Sequence, residues 1–452
     1  MGRHGVLGWH PSLAATGQRI TLCSSLERSG RTLPDVSTRG DHGPTIASSL
    51  FFSTLSAATN VFGLLLLMEA SRDLTVGEIG VLGIAFAFAS IGEPLMDFGL
   101  QQAGVRHIAR DRLSAGDIMA NSLGLKSLSA VMMFVVLSGI AWWWYPDAAL
   151  PSMVMLVSVV IRSSLLTVRG VFQGLELFGH DAVVMFADRA LMLVGGVAAL
   201  RMGFGVTGLA ASFVVTRSVA LALGLWLTAR RVDRVRPAAD LAMWRQLSVA
   251  SLPLGLFMMV LTVYNYIDVL LLRSLTNERE VGLYYNAYRV YEAITYGAAV
   301  IWTVVTPRFA ALWATDPAAH ARLARRALAG SFALGLAMTP CVWSLAATGL
   351  GLFFGPAYRE AAGALAILAL GLGLVFAIWI LHALALSTFR SRLMVTATVI
   401  SLGVNVGVNL WLTPTWHRDG AAAATVAGEA VAFTLLAWGL RDVLVGRAPA
   451  RP

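Results

Sequence analysis

About twelve apolar stretches recur along this chain, each close to the roughly 20 residues that a helix needs to cross the hydrocarbon of a bilayer. The predicted spans are 45–68, 80–100, 123–145, 150–167, 182–200 and 206–227, followed by 247–272, 285–312, 327–347, 361–386, 394–412 and 421–440. Nothing in them alternates with the period of two that a β-barrel requires. The fold class is therefore an all-α polytopic membrane protein. Composition agrees: of 452 residues, 57% are hydrophobic and only 13% charged, too apolar a balance for a soluble domain.

Cations near span ends set orientation, because Lys and Arg are retained in the cytoplasm. Most of the 34 Lys and Arg residues fall in one set of alternate connections and in both termini. Arg106, Arg110 and Arg112 follow the second span, Arg230, Arg231, Arg234 and Arg236 the sixth, and Arg322, Arg325 and Arg326 the eighth. The opposite set holds only Arg72, Arg201, Arg273, Arg279, Arg359 and Arg418. Both termini are thus expected in the cytoplasm, and the net charge of +9 has a topological cause. No interleaving of Arg with aromatic residues suggests nucleic-acid binding. Residues 1–44 lack sustained periodicity and the apolar core of a signal peptide, and read as a disordered cytoplasmic tail. Cys23 and Cys341, placed in the tail and in a span, imply no disulfide framework. There is no P-loop, metal-ligand cluster or nucleophile motif, so neither a catalytic group nor a cofactor is expected; among the histidines only His382 falls within a span, and it reads as structural.

The Arg-rich connection 228–246 divides the spans into two sets of six, giving bundles over 45–227 and 247–440 with a short tail after residue 440. Internal similarity supports that division. Glu78-Ile79-Gly80-Val81 matches Glu280-Val281-Gly282-Leu283, and Gly208-Leu209-Ala210-Ala211 matches Gly420-Ala421-Ala422-Ala423. Parallel six-helix repeats are a transporter architecture, with cargo held between the halves.

Asp97-Phe98-Gly99-Leu100, Gly170-Val171-Phe172-Gln173-Gly174-Leu175 and Gly205-Val206-Thr207-Gly208-Leu209, together with Tyr266-Ile267-Asp268, Phe354-Gly355-Pro356-Ala357-Tyr358 and Asp419-Gly420-Ala421-Ala422, resemble the oligosaccharide flippases of the MOP exporter superfamily. The resemblance covers nearly everything after Thr45. It implies two six-helix bundles around a V-shaped cavity, moving an oligosaccharide linked to polyprenyl pyrophosphate across a bacterial cytoplasmic membrane by alternating access. The implied partners are that lipid-linked cargo, membrane lipids, and the polymerase and glycosyltransferase machinery of surface polysaccharide assembly.

Two signals mark candidate cargo-binding residues. Seven of the 9 Tyr residues crowd into the seventh and eighth spans and their connection. Tyr285, Arg289, Glu292 and Tyr296 share one helix face, with Tyr288 on its neighbour; Tyr264 and Asp268 share a face of the seventh span, which Pro253 is expected to bend. An interfacial aromatic belt accounts for Tyr284 and Tyr285, but not for polar groups carried about 16 Å along a helix. Charges inside spans are the second signal, since each is costly there. Arg217, Asp268, Arg289 and Glu292 are the strongest of these. Arg289 and Arg217 suit the phosphates of the implied cargo, against the simpler alternative that each pairs with a carboxylate only to survive burial. Glu429 occupies the repeat position of Arg217 and is expected to partner it. Glu93, beside Pro94, and Asp97 are candidates for ion coupling, while Asp188 and Arg189 are set near a span end. The alternative functions are a multidrug-type exporter, expected to use an acidic cavity, and a membrane glycosyltransferase or polymerase, expected to need a substantial external loop.

Overall fold

The computed structural model describes residues 61–230 and 240–446. The predicted tail 1–44, most of the first span, residues 231–239 of the connection and the last six residues lie outside that range. No strand occurs among the described residues. In chain order the helices are α1 (61–73), α2 (Val76–Asp97), α3 (Leu100–Arg110), α4 (Ala115–Trp144), α5 (Pro146–Gly174), α6 (Phe178–Arg201) and α7 (Gly205–Ala229). The second half contributes α8 (Leu241–Leu275), α9 (Glu278–Thr315), α10 (Pro317–Phe354), α11 (Ala362–Leu370), α12 (Leu372–Ser387), α13 (Ser391–Gly439) and α14 (Arg441–Val445). By length and composition, eight of the helical segments can cross a membrane, and the pair α11–α12, bent by 44°, makes a ninth. The difference from twelve has physical reasons. The first span is only partly described, α13 joins the last two predicted spans across a kink at His417, and α9 is not among the segments apolar enough to count.

The two sets of helices pack mainly within themselves. In the first half α7 lies on α5 and α6, and α5 also packs on α2 and α4; in the second α13 lies on α8, and α12 on α9, α10 and α13. The halves meet where α2 crosses α9 and α8.

The repeated Glu-x-Gly motif accounts for that crossing. Both helices begin with a side-chain cap: Thr75 forms a capping box with Glu78, and the Asn277 side chain accepts the amide of Glu280 at 3.1 Å, each satisfying an otherwise unpaired N–H. Each glycine two residues further on is the point of contact. A Cβ on Gly80 would lie 1.9 Å from the Glu278 carbonyl oxygen, and one on Gly282 would lie 2.0 Å from that of Val76. The Asn286 amide donating to the Ser71 hydroxyl at 2.8 Å, the Tyr145 hydroxyl donating to the Leu270 carbonyl at 3.1 Å, and Arg273 on Asp147 at 3.0 Å join the halves at the same end.

At the opposite end α2 stops at Phe98 and Gly99, both left-handed (φ 45° and 78°). The chain then enters α3, whose Leu100 and Ala103 bury Leu247 of α8. That helix starts earlier than the predicted span, capped by the Asp240 side chain, and runs as one helix through Pro253.

Candidate functional site

Between the halves lies a cavity of about 950 Å³. Its first-half walls come from α1, α2, α3, α5, α6 and α7, its second-half walls from α8 and α9. Pro94 leaves the carbonyl four residues earlier without its helical donor, and that residue, Ser90, also lines the cavity.

Seven of the ten sequence candidates line this space: Arg217, Tyr285, Arg289, Glu292, Tyr296, Glu93 and Asp97. Tyr264, Asp268 and Tyr288 are not among the lining residues. Three lining residues were missed. Arg162 falls inside the predicted span 150–167 but is of the same type as the cations that orient the chain, Arg189 is expected near a span end, and Tyr266 enters the sequence reading only within a motif. The signal for Arg162 was its position: a cation more than half way along a 29-residue helix is too deep to mark an end.

On the α9 wall, Arg289 forms an ion pair with Glu292 three residues on. Its guanidinium also sits over the Tyr285 ring at 4.7 Å and the Tyr266 ring at 5.2 Å. Tyr285 stacks on Phe86 at 6.3 Å above Gly83, where a Cβ would stand 2.9 Å from the ring. The expected interfacial position of Tyr284 and Tyr285 is corrected accordingly: they are 0% and 3% exposed, pulled inward by the close approach of α2 to α9.

The other wall is different. Arg162 contacts Glu93 at 3.3 Å, and Asp97 is bound by the fully buried Lys126 at 2.5 Å, so both candidate coupling acids meet cations. Lys126 also donates to the Ser163 carbonyl at 3.1 Å. Arg217 has no carboxylate within the 4.0 Å that defines an ion pair among the described residues; its Nη1 donates to the Ser158 hydroxyl at 2.6 Å and its Nε has no partner. The expected partner Glu429 is engaged elsewhere, accepting from the Tyr291 hydroxyl, because the repeat equivalence puts each residue inside its own half.

Asp268 belongs to a closed network off the cavity. It accepts from Asn409 at 2.7 Å, Thr425 at 2.6 Å and Tyr284 at 3.1 Å and is 2% exposed. The Tyr264 hydroxyl packs against Gly428 of the same helix as Thr425, and the Tyr288 ring lies between those of Tyr284 and Tyr291, at 5.8 and 6.0 Å.

Two helical halves enclosing a charged cavity, built from helices long and apolar enough to cross a membrane, define a multi-pass helical membrane protein. The chain belongs to the polysaccharide biosynthesis protein family, whose model matches residues 46–313. Solved structures place the fold alongside an inward-facing multidrug resistance MATE family transporter of the MOP superfamily, with a TM-score of 0.74 at 17% identity over 87% of this chain and 96% of that one. The lipid II flippase MurJ in an inward closed conformation is similar with a TM-score of 0.65 at 11% identity, covering 88% and 90%. A MOP superfamily transporter from Pyrococcus furiosus gives 0.63 at 16% identity, covering 88% and 95%. No curated protein matches the chain in sequence.

Proposed function

We propose that this protein is a flippase for an oligosaccharide linked to polyprenyl pyrophosphate, moving it across a bacterial cytoplasmic membrane by alternating access for surface polysaccharide assembly. One observation carries the reading: four arginines from four helices line the cavity against three carboxylates. An anionic cargo bearing sugar hydroxyls suits that lining, with tyrosine rings to stack on sugar C–H faces and guanidinium groups to bind phosphate oxygens. A carrier of cationic drugs would call for the opposite sign. A glycosyltransferase or polymerase would need a sizeable acceptor-holding segment, whereas the described connections at the Gly80 end are short, the longest being the turn between α10 and α11. In this proposal the Gly80 end faces outward and both termini face the cytoplasm, as the arginine distribution implies, and the polymerase and glycosyltransferases act on the same lipid-linked cargo.

The test is a deletion strain lacking redundant flippases. Lipid-linked saccharide should accumulate on the cytoplasmic face and be cleared when the gene is restored. Arrival of labelled precursor at the outer face at the normal rate would remove the assignment.

A further inference from the structure

The cavity has two unlike walls, and their difference assigns the ends of the cargo. On the α5, α6 and α7 wall, Arg162, Arg189 and Arg217 lie close enough to repel one another. Glu93 answers Arg162. Arg189 and Arg217 form no ion pair among the described residues; Asp188, buried on α6 behind the lining, acts on both at longer range without pairing with either. On the α8 and α9 wall, the single arginine, Arg289, is held by Glu292 and covered by two tyrosine rings.

Keeping a guanidinium charged inside the membrane without a counterion is costly. Arg217 is 4% exposed yet borders the cavity, and Ser158 takes only its Nη1. Its Nε is unpartnered, which leaves the Nε–Nη2 edge, the one that grips two oxygens of a single phosphate. The Arg289 Nε is also unpartnered, but Glu292 already answers the charge of that guanidinium.

The geometry points to a divided cavity: the pyrophosphate of the cargo seats on Arg189 and Arg217 in the first half, and the saccharide lies against Tyr266, Tyr285 and Tyr296 in the second. This rests on the flippase reading above and fixes the orientation of its cargo. Arg289 becomes a positioning residue, which holds the Tyr266 and Tyr285 rings through its guanidinium and leaves phosphate recognition to the opposite wall.

The full-length protein in phosphatidylcholine nanodiscs tests it, with undecaprenyl pyrophosphate and undecaprenol as probes and binding read by native mass spectrometry. Wild type should prefer the pyrophosphate, and Arg217→Gln or Arg189→Gln should each shrink that preference about tenfold, the range expected for losing charged hydrogen bonds. Arg217→Lys should fall between, because it keeps the charge and loses the fork; it also serves if the Gln variant does not fold. The double variant Arg289→Gln with Glu292→Gln should keep the preference. A preference retained in the Arg217 and Arg189 variants, or lost in the double variant, overturns the division of the cavity while leaving the flippase reading intact. No preference in wild type overturns both. A preference that disappears when the nanodiscs contain phosphatidylglycerol would assign the arginines to ordinary anionic lipid and also overturn the proposal.

Discussion

Arg217 and Glu429 stand at the same place in the two halves, each nine residues after the glycine of a matching motif, and their fates differ. Arg217 borders the cavity and forms no ion pair among the described residues; Glu429 is enclosed in its own half and bonded to a tyrosine. The difference extends to their neighbours. In the first half Glu93 and Asp97 each contact a cation. In the second half Asp268 is held by hydroxyl and amide donors and Glu429 by one hydroxyl, neither in an ion pair. The repeat has kept what the backbone needs, the caps and the crossing glycines, and has diverged in what is buried on top. Symmetry in this fold is a property of helix packing, and the asymmetry of the charges is what gives the cavity an anion-facing wall and an aromatic one.

The largest expected effect tests the symmetric part. Gly80→Val and Gly282→Val both place side-chain atoms where the partner helix has backbone, which cannot yield as a side chain does. Each should cost about 3 kcal/mol or more, read as lost membrane abundance or, if the protein survives, as new solvent access to a cysteine placed at Ser71. Tolerance of one substitution and not the other would break the equivalence of the two repeats.

The asymmetric part is tested by removing one charge from each half. Lys126→Met leaves Asp97, largely enclosed, with its cation gone and should cost about 3 kcal/mol, most of it recovered in the double variant with Asp97→Asn. Asp268→Ala removes the acceptor of three donors and should cost about 3 kcal/mol without any single neutralising change to restore it, since no opposite charge is left behind. Thermal unfolding of the purified variants separates the cases. If a single change at Asn409 or Thr425 restored Asp268→Ala, the contrast drawn between ionic and neutral burial would be wrong.

How far the sequence reaches is visible in particular residues. The Glu-x-Gly repeat is legible in the sequence, but that its glycines lie where α2 crosses α9 is not, because a close approach depends on the partner helix. The charged and aromatic face of α9 is legible because a 3.6-residue period alone places Tyr285, Arg289, Glu292 and Tyr296 together. What covers a face is not local information. Tyr264 and Asp268 share a side of α8, as expected, but that side is covered by α13, about 140 residues downstream, and so leaves the cavity. Arg162 was hidden for another reason, since one residue type both orients a membrane protein and fills a membrane cavity, and only depth along the helix separates the two roles.

The smallest effect expected concerns an ion pair outside the spans, and it sharpens the contrast with Lys126 and Asp97. Arg390 donates to Asp442 of α14 at 2.8 Å, and also to the Gly439 carbonyl at 2.7 Å. Hydrogen bonding from Arg390 holds the Asp442 carboxyl below the usual carboxylate range. A depressed acid stabilises the fold above its unfolded value, about 3.9, and that contribution disappears as pH falls through the folded value. With Asp442 about a third exposed, Asp442→Asn should cost only about 0.5 kcal/mol at neutral pH. The difference from wild type should vanish in acid, and 1 M salt should largely erase it because the Debye length then shrinks to about 3 Å. Most of the Lys126→Met penalty should survive the same salt, since Lys126 is 1% exposed and Asp97 only 15%. Equal salt sensitivity of the two melting shifts would mean that Lys126 and Asp97 are solvated, and that the first-half wall is wetter than its burial implies.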